Sequence, residues 1–396
     1  MNSMKRIINT VKAIVTRPVS VAYNGRRNVR RSRDRLTYLL LYALCPMLFA
    51  FCCLPLPLEA KVTGVCSNCH TMHNSQGGQP MATYGGTTSV QGCLLRGTCL
   101  GCHGQNTSGT VNIISLGNVP QVIHATSIEH LAGGNFKYLD TDDNRGHNVI
   151  DTGNQEGTAA MFPPPGDQHA TGITNSNFTC SGAKGCHGDR TVEDKLSSIK
   201  GAHHTNDGVL KFGSISLGGQ GGSTGLSYRF LKGVKGGEDS DWQATVNATN
   251  DHNEYFGDTA MGTSSLTSPA NNTISGLCAE CHGNYHGATT SEAGSASPWY
   301  RHPTDTTLPS SGEYTAYTAY DTIVPVGRTS SWAGWTGGSA PSGTVTPGGN
   351  TDDIVICLSC HRAHASPFFK MMRWDYKGWP GNLEDNYCAM CHTSKQ

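Results

Sequence analysis

The chain has 396 residues, with 29 basic and 29 acidic side chains, 49 Gly, 16 Cys and 17 His. Only 36% of residues are hydrophobic and the mean hydropathy is −0.37, which excludes a polytopic membrane protein. A neutral overall charge argues against nucleic acid as a partner. Sixteen Cys are too many for an ordinary cytosolic enzyme and too few for a disulfide miniprotein, so their spacing sets the class.

Residues 1–60 hold ten Lys/Arg and two Asp/Glu, with a run at Arg26, Arg27, Arg30, Arg31, Arg33 and Arg35. An apolar stretch follows from Leu36 to Leu58, broken by Pro46, Pro55 and Pro57, and ends in Leu58-Glu59-Ala60. A basic front, an apolar middle and a small-residue exit read as a secretory signal that is removed. An uncleaved anchor is the alternative, since the stretch is long enough to span a bilayer, but its prolines weaken a stable span. Cys52 and Cys53 raise a lipoprotein reading, against which Phe51 is a poor lipobox residue. The expected mature unit is 61–396, exported through the periplasm, with 19 basic against 27 acidic side chains.

Five Cys-x-x-Cys-His runs follow in the mature part. They are Cys66-Ser-Asn-Cys69-His70, Cys99-Leu-Gly-Cys102-His103, Cys278-Ala-Glu-Cys281-His282, Cys357-Leu-Ser-Cys360-His361 and Cys388-Ala-Met-Cys391-His392. This is the c-type haem attachment pattern. Positions i, i+3 and i+4 share one face of a helical turn, so both thiols reach one porphyrin while the His meets its iron. A zinc site or a disulfide gives no reason for His after the second Cys every time. A sixth run, Cys180-Ser-Gly-Ala-Lys-Gly-Cys186-His187, separates its thiols by five residues. A continuous helix would set them about 9 Å apart along its axis, so the insert must loop outward, which Gly182 and Gly185 make sterically cheap. A Cys180–Cys186 disulfide beside an unrelated His is the competing reading. Six covalent haems c use twelve of the thirteen mature Cys and leave Cys93, which reads as a buried thiol.

With His70, His103, His187, His282, His361 and His392 proximal, eleven His remain: 73, 124, 130, 147, 169, 203, 204, 252, 286, 302 and 364. Every iron can therefore be bis-His. Two trans ligands approach one iron from opposite faces, whereas neighbours on one turn point the same way. His73 cannot complete the haem of His70, nor His364 that of His361. The rings of His203 and His204 can diverge towards two haems. For His124, His130, His169 and His286 a solvated or propionate-bonding role weighs as much as ligation.

These residues resemble the multihaem cytochromes with doubled Cys-x-x-Cys-His motifs, and within them the extracellular filament-forming cytochromes of metal-reducing bacteria. The resemblance is carried by Val65 through His73, by Gly133-Gly-Asn-Phe136 leading to Gly146-His147-Asn-Val149, and by Gly201-Ala-His-His204. It continues at Ser227 through Trp242, Trp299-Tyr-Arg-His302-Pro-Thr-Asp305 and Cys357 through His364. It implies bis-His haems in a continuous chain, with His73 ligating a haem of the neighbouring protomer in a homopolymer. Carried over position by position, the distal set is His73, His147, one or both of His203 and His204, His252, His302 and His364.

The mature residues amount to about 56 per haem, so porphyrin replaces much of the side-chain interior. The expected fold is mostly irregular, with very little sheet and short helices at the attachment motifs and a few distal His, built as a single hexahaem unit around a stacked haem chain. Asp140-x-Asp142-x-Asn144-x-Gly146 is off register for a calcium loop and reads as a polar turn leading into His147. The function expected is extracellular electron transfer by hopping along the haems, as a polymeric filament, with redox partners or minerals at its ends. The alternatives are a soluble or surface-bound carrier and a multihaem reductase with one open iron. Neither a catalytic triad nor a Cys-x-x-Cys-Lys site supports an enzyme.

Overall fold

In the computed structural model the described residues are 65–81, 90–104, 113–114, 119–124, 131, 133–153, 164–166, 172–203, 228, 230–237, 253–259, 269–286, 302–329, 344–348, 353–378 and 386–394. All lie in the unit Glu59–Gln396; the expected signal at 1–60 and His130, His169, His204 and His252 lie outside them. Among the described residues regular structure is scarce. Their four α-helices, of four to six residues, are α1 (Leu100–His103), α2 (Lys195–Ser198), α3 (Ile274–Ala279) and α4 (Cys357–Cys360). Four two-residue antiparallel pairs supply the ladder strand described: β1 (Ser75–Gln76) with β2 (Gln79–Pro80), β3 (Ile113–Ile114) with β4 (Val119–Pro120), β5 (Gly236–Gly237) with β6 (Glu254–Tyr255) and β7 (Thr306–Thr307) with β8 (Ile354–Val355). Among the described residues no helix is long and apolar enough to cross a membrane.

Helical turns fall on five of the six attachment motifs, as α1, α3, α4 and two 3-10 turns at Cys66–Asn68 and Tyr387–Met390. They also occur away from motifs, where a polar side chain caps the first turn. Asp194 accepts from Ser197 N at 2.7 Å to start α2. The calcium-like stretch is a 3-10 turn, Asp143–Arg145, capped by Asp142 at 2.9 Å.

The spaced Cys180 motif has no helix, yet it ends in the same place. In the five regular motifs the His N–H donates to the first Cys carbonyl at 2.8–3.0 Å, and His187 donates to Cys180 O at 3.0 Å. The extra residues form a loop closed by Gly185 N donating to Gly182 O at 3.0 Å. Gly182 takes φ +84°, and a Cβ on Gly185 would stand 2.5 Å from both Thr179 O and Ser181 N. The insertion therefore leaves Cys–His geometry unchanged and puts its whole cost on two glycines.

Apolar burial is divided among three small clusters, and each lies against attachment motifs. Leu100, Ile123, Phe136, Leu139 and Val149 pack with Cys180; Ile274, Ile354 and Leu358 form the second cluster; Leu308, Tyr317, Val324 and Trp374 pack with Cys360, Cys388 and Cys391. Polar clamps join one motif to the next. Asp151 accepts from Thr98 Oγ1 and Lys195 Nζ, each at 2.6 Å, and from Cys180 N at 3.2 Å, so it ties the second motif to the third. Arg190 Nε and Nη2 donate to the two Glu280 oxygens at 2.7 Å each, with both side chains 3% exposed, joining the third motif to the fourth. Cys357 N donates to Ser275 Oγ at 3.2 Å between the fourth and fifth.

Two substitutions test these contacts. Arg190→Ala strands a buried carboxylate and is expected to remove about 3–5 kcal/mol of stability, whereas a double Arg190→Met, Glu280→Met exchange recovers most of it; urea midpoints decide. Gly185→Ala is expected to lose about 1–3 kcal/mol by overpacking, and intact mass will show a fraction of chains lacking one haem.

Candidate functional site

The side chains that matter are imidazoles, and the structure gathers them in pairs. His70 and His203 stand edge to face, with ring centroids 5.6 Å apart and Nε2 atoms 3.3 Å apart. His147 and His282 are 6.2 Å apart, His187 and His364 6.1 Å, and His302 and His392 6.1 Å, centroid to centroid. Two imidazoles bound through Nε2 to one iron, at about 2 Å per bond, have centroids about 6.3 Å apart and nitrogens about 4 Å apart. Three pairs match that span, and the His70–His203 pair needs to part by less than about 1 Å. Each pair joins a proximal His to a distant segment of the chain.

The second ring nitrogen explains the aim of the first. Nδ1 of His70 donates to Leu94 O at 3.0 Å, of His103 to Pro120 O at 2.8 Å, of His147 to Ala363 O at 2.8 Å, and of His282 to Pro165 O at 2.7 Å. Nδ1 of His302 donates to Pro303 O at 2.8 Å, of His361 to Lys370 O at 2.9 Å, and of His73 to Gln91 O at 2.9 Å. A ring committed at Nδ1 is held in one tautomer and orientation, with the lone pair that a metal needs on Nε2. Burial keeps several rings neutral: it pushes His147 and His187 down to about 4 and His364 to about 3, with neighbouring rings adding to the effect, His282 on His147, His103 on His187 and His187 on His364.

Glycines decide why His147 and His364 sit side by side. The segment His364-Ala365 threads between two others: His364 N donates to Gly133 O at 2.6 Å, Asn135 N to Ala365 O at 3.1 Å and His147 N to His364 O at 3.0 Å. A Cβ on Gly134 would stand 2.0 Å from Ala365 O, and one on Gly146 2.7 Å from His364 O. The Gly-Asn-Phe and Gly-His-Asn-Val stretches are thus the two walls of one slot. Phe136 closes it, stacked on His364 at 4.8 Å.

Thiols of successive motifs also meet. Cys102 lies against Cys69, Cys180 against Cys99 and Cys278 against Cys357, and these contacts push the Cys102, Cys180 and Cys278 thiols well up. Cys99, Cys180 and Asp151 offer ligand atoms within 4.8 Å of one another. Both sulfurs belong to attachment motifs and Asp151 is engaged by Lys195, so the trio is a junction of two motifs.

Two sequence readings need adjustment. Cys93 is exposed, not buried, because residues 91–94 form the surface turn that carries the Gln91 and Leu94 carbonyls behind His73 and His70. His286 is buried with its Nε2 bonded to Asp305 Oδ2, which commits that nitrogen to a carboxylate. The reading missed the clamps Asp151, Arg190 and Glu280, and no spacing rule marks them. Paired thiols beside a His with its lone pair on Nε2, faced by a second imidazole at iron-spanning distance, are a donor set that fits covalently attached haem.

Comparison with known proteins agrees with that donor set. Residues 350–396 match the doubled CXXCH motif family. The C-type cytochrome OmcS of Geobacter sulfurreducens is 25% identical over 356 aligned positions, taking in 78% of each chain. Two solved structures are similar, the outer membrane cytochrome S filament and the OmcS nanowires of the same organism. They show 20% and 22% identity, cover 80% of this chain and 84% and 85% of theirs, and each has a TM-score of 0.41. With attachment motifs and the sequence relationship together, the chain is similar to the multihaem c-type cytochrome OmcS, and its doubled CXXCH motifs support covalently bound haem c.

Proposed function

We propose that this chain is a hexahaem electron conduit that polymerises outside the cell, as its relative OmcS does in filaments. The observation that carries the reading is the set of four imidazole pairs, each a proximal His faced by a ring from a distant segment at a centroid separation of 5.6–6.2 Å. Bound haem supplies a one-electron Fe(III)/Fe(II) couple, and an iron held by two His has no open position for a substrate. The residues then act as spacers. His70 with His203, His147 with His282, His187 with His364 and His302 with His392 hold four irons. His73 and His252 complete the set for His103 and His361, His73 from the neighbouring protomer. The thiol contacts and clamps run from motif to motif in chain order, which gives the haems the same order in space.

His73 suits a role outside its own subunit. It takes φ +56°, an uncommon conformation for a non-glycine residue, followed by Asn74 at +64°. Four of the six exposed large hydrophobic residues among those described lie close by in the chain, Val65 and Met72 on the leading motif and Val90 and Leu94 on the segment hydrogen-bonded to it. Such a cluster marks a contact surface.

Intact mass of the exported protein should show six haems, and cryo-electron microscopy should show filaments. His73→Ala should abolish the filaments while the mass stays at six haems. Discrete wild-type particles with His73 ligating within its own chain would instead establish a soluble carrier, and an iron lacking a sixth protein ligand a reductase.

A further inference from the structure

Among the described histidines of the attachment motifs, His392 has a carboxylate behind its Nδ1. The rings of His70, His73, His103, His147, His282, His302 and His361 each turn Nδ1 to a backbone carbonyl. His392 turns its Nδ1 to Glu313 Oε1, at 3.1 Å. The carboxylate is built into place. It projects from a 3-10 turn, Gly312–Ala316, and its Oε2 accepts from Ser394 Oγ at 2.6 Å and Ser394 N at 3.3 Å. Thr393 Oγ1 donates to Glu313 O at 3.0 Å, so the two residues after His392 wrap the same glutamate. With Ser394 N and Oγ donating to one oxygen and His392 Nδ1 facing the other, both carboxylate oxygens are engaged by donors. The side chains of His392 and Glu313 are 19% and 11% exposed, so solvent only partly screens the pair.

We propose that Glu313 sets the potential of the sixth haem, making His392 the most electron-rich proximal ligand and holding its iron in the ferric state against its neighbours. The inference rests on the haem reading above. A carbonyl presents a partial charge to the Nδ1 proton, and a carboxylate presents a full one. The proton shared between His392 and Glu313 gives the ring imidazolate character, and a more basic imidazole favours Fe(III) over Fe(II). The step concerned is one-electron reduction of ferric iron by a neighbouring haem. No bond forms or breaks, and the shared proton stays between ring and carboxylate. Since the Cys388 motif packs with Cys360 in the last cluster of the chain, Glu313 places a low-potential site at the end of the run, filled after its neighbours. Glu313 is a positioning residue, acting through His392.

The test is a spectroelectrochemical titration of the haem-loaded full chain as wild type, Glu313→Gln and Glu313→Asp, with intact mass run in parallel. Glu313→Gln is expected to make reduction of one of six components about tenfold more favourable, a rise of ~59 mV for one electron. Glu313→Asp, which restores the charge, is expected to return most of it. His302→Met, altering the opposite ligand of the same iron, should move the same component and so assign it. A Glu313→Gln titration that superimposes on wild type at full haem content overturns the proposal. Loss of one haem in Glu313→Gln also overturns it, since Glu313 then builds the site. A wild-type mass with fewer than six haems overturns the hexahaem reading itself and is told apart by the mass alone.

Discussion

An imidazole has two nitrogens, and a ring that must bind iron through one of them is aimed by whatever holds the other. Seven rings here are aimed by backbone carbonyls. A backbone carbonyl is rigid only if the segment bearing it is rigid, so the irregular loops at Leu94, Pro120, Pro165 and Lys370 become parts of the site. The same demand accounts for the shortage of helix and sheet. A carbonyl used inside a helix or ladder is already occupied, whereas one at the edge of a loop can accept from a ring.

With so little regular structure, cohesion comes from elsewhere. The apolar clusters are small and lie against attachment cysteines, which is where a porphyrin face adds the missing apolar surface. Between the clusters the chain relies on buried charge: Asp151 with Lys195, and Arg190 with Glu280. A buried ion pair is a weak source of net stability but a strict source of geometry, because either partner left alone is heavily penalised. That trade suits a protein whose electron transfer depends on the spacing and orientation of neighbouring groups.

The spaced motif shows how far this geometry tolerates change. Three extra residues enter between the thiols, and the bond from His187 N to Cys180 O persists at the length seen in the regular motifs. The conserved quantity is where the first Cys carbonyl meets the His amide. Sequence spacing is one way to reach it, and a glycine-closed loop is another.

Much of the site was legible without coordinates. Cys-x-x-Cys-His names its own chemistry, since two thiols and an imidazole at that spacing can serve one porphyrin, and the chain length per motif already implied a structure poor in sheet. The rule that His364 and His73 must serve haems other than those of His361 and His70 also follows from local geometry alone. Which distant imidazole faces which proximal one does not follow. His203 and His70 lie 133 residues apart, and their meeting depends on turns whose glycines could have closed other slots equally well. Glu313 is the clearest case: an unremarked acid in a polar stretch, it reaches His392 only because residues 393 and 394 fold back over it. The sequence by itself determined the cofactor class, because the motifs that name it are local. Tertiary structure alone decided the ring pairs, the order of the motifs and the charge behind each ligand, because those depend on long-range packing.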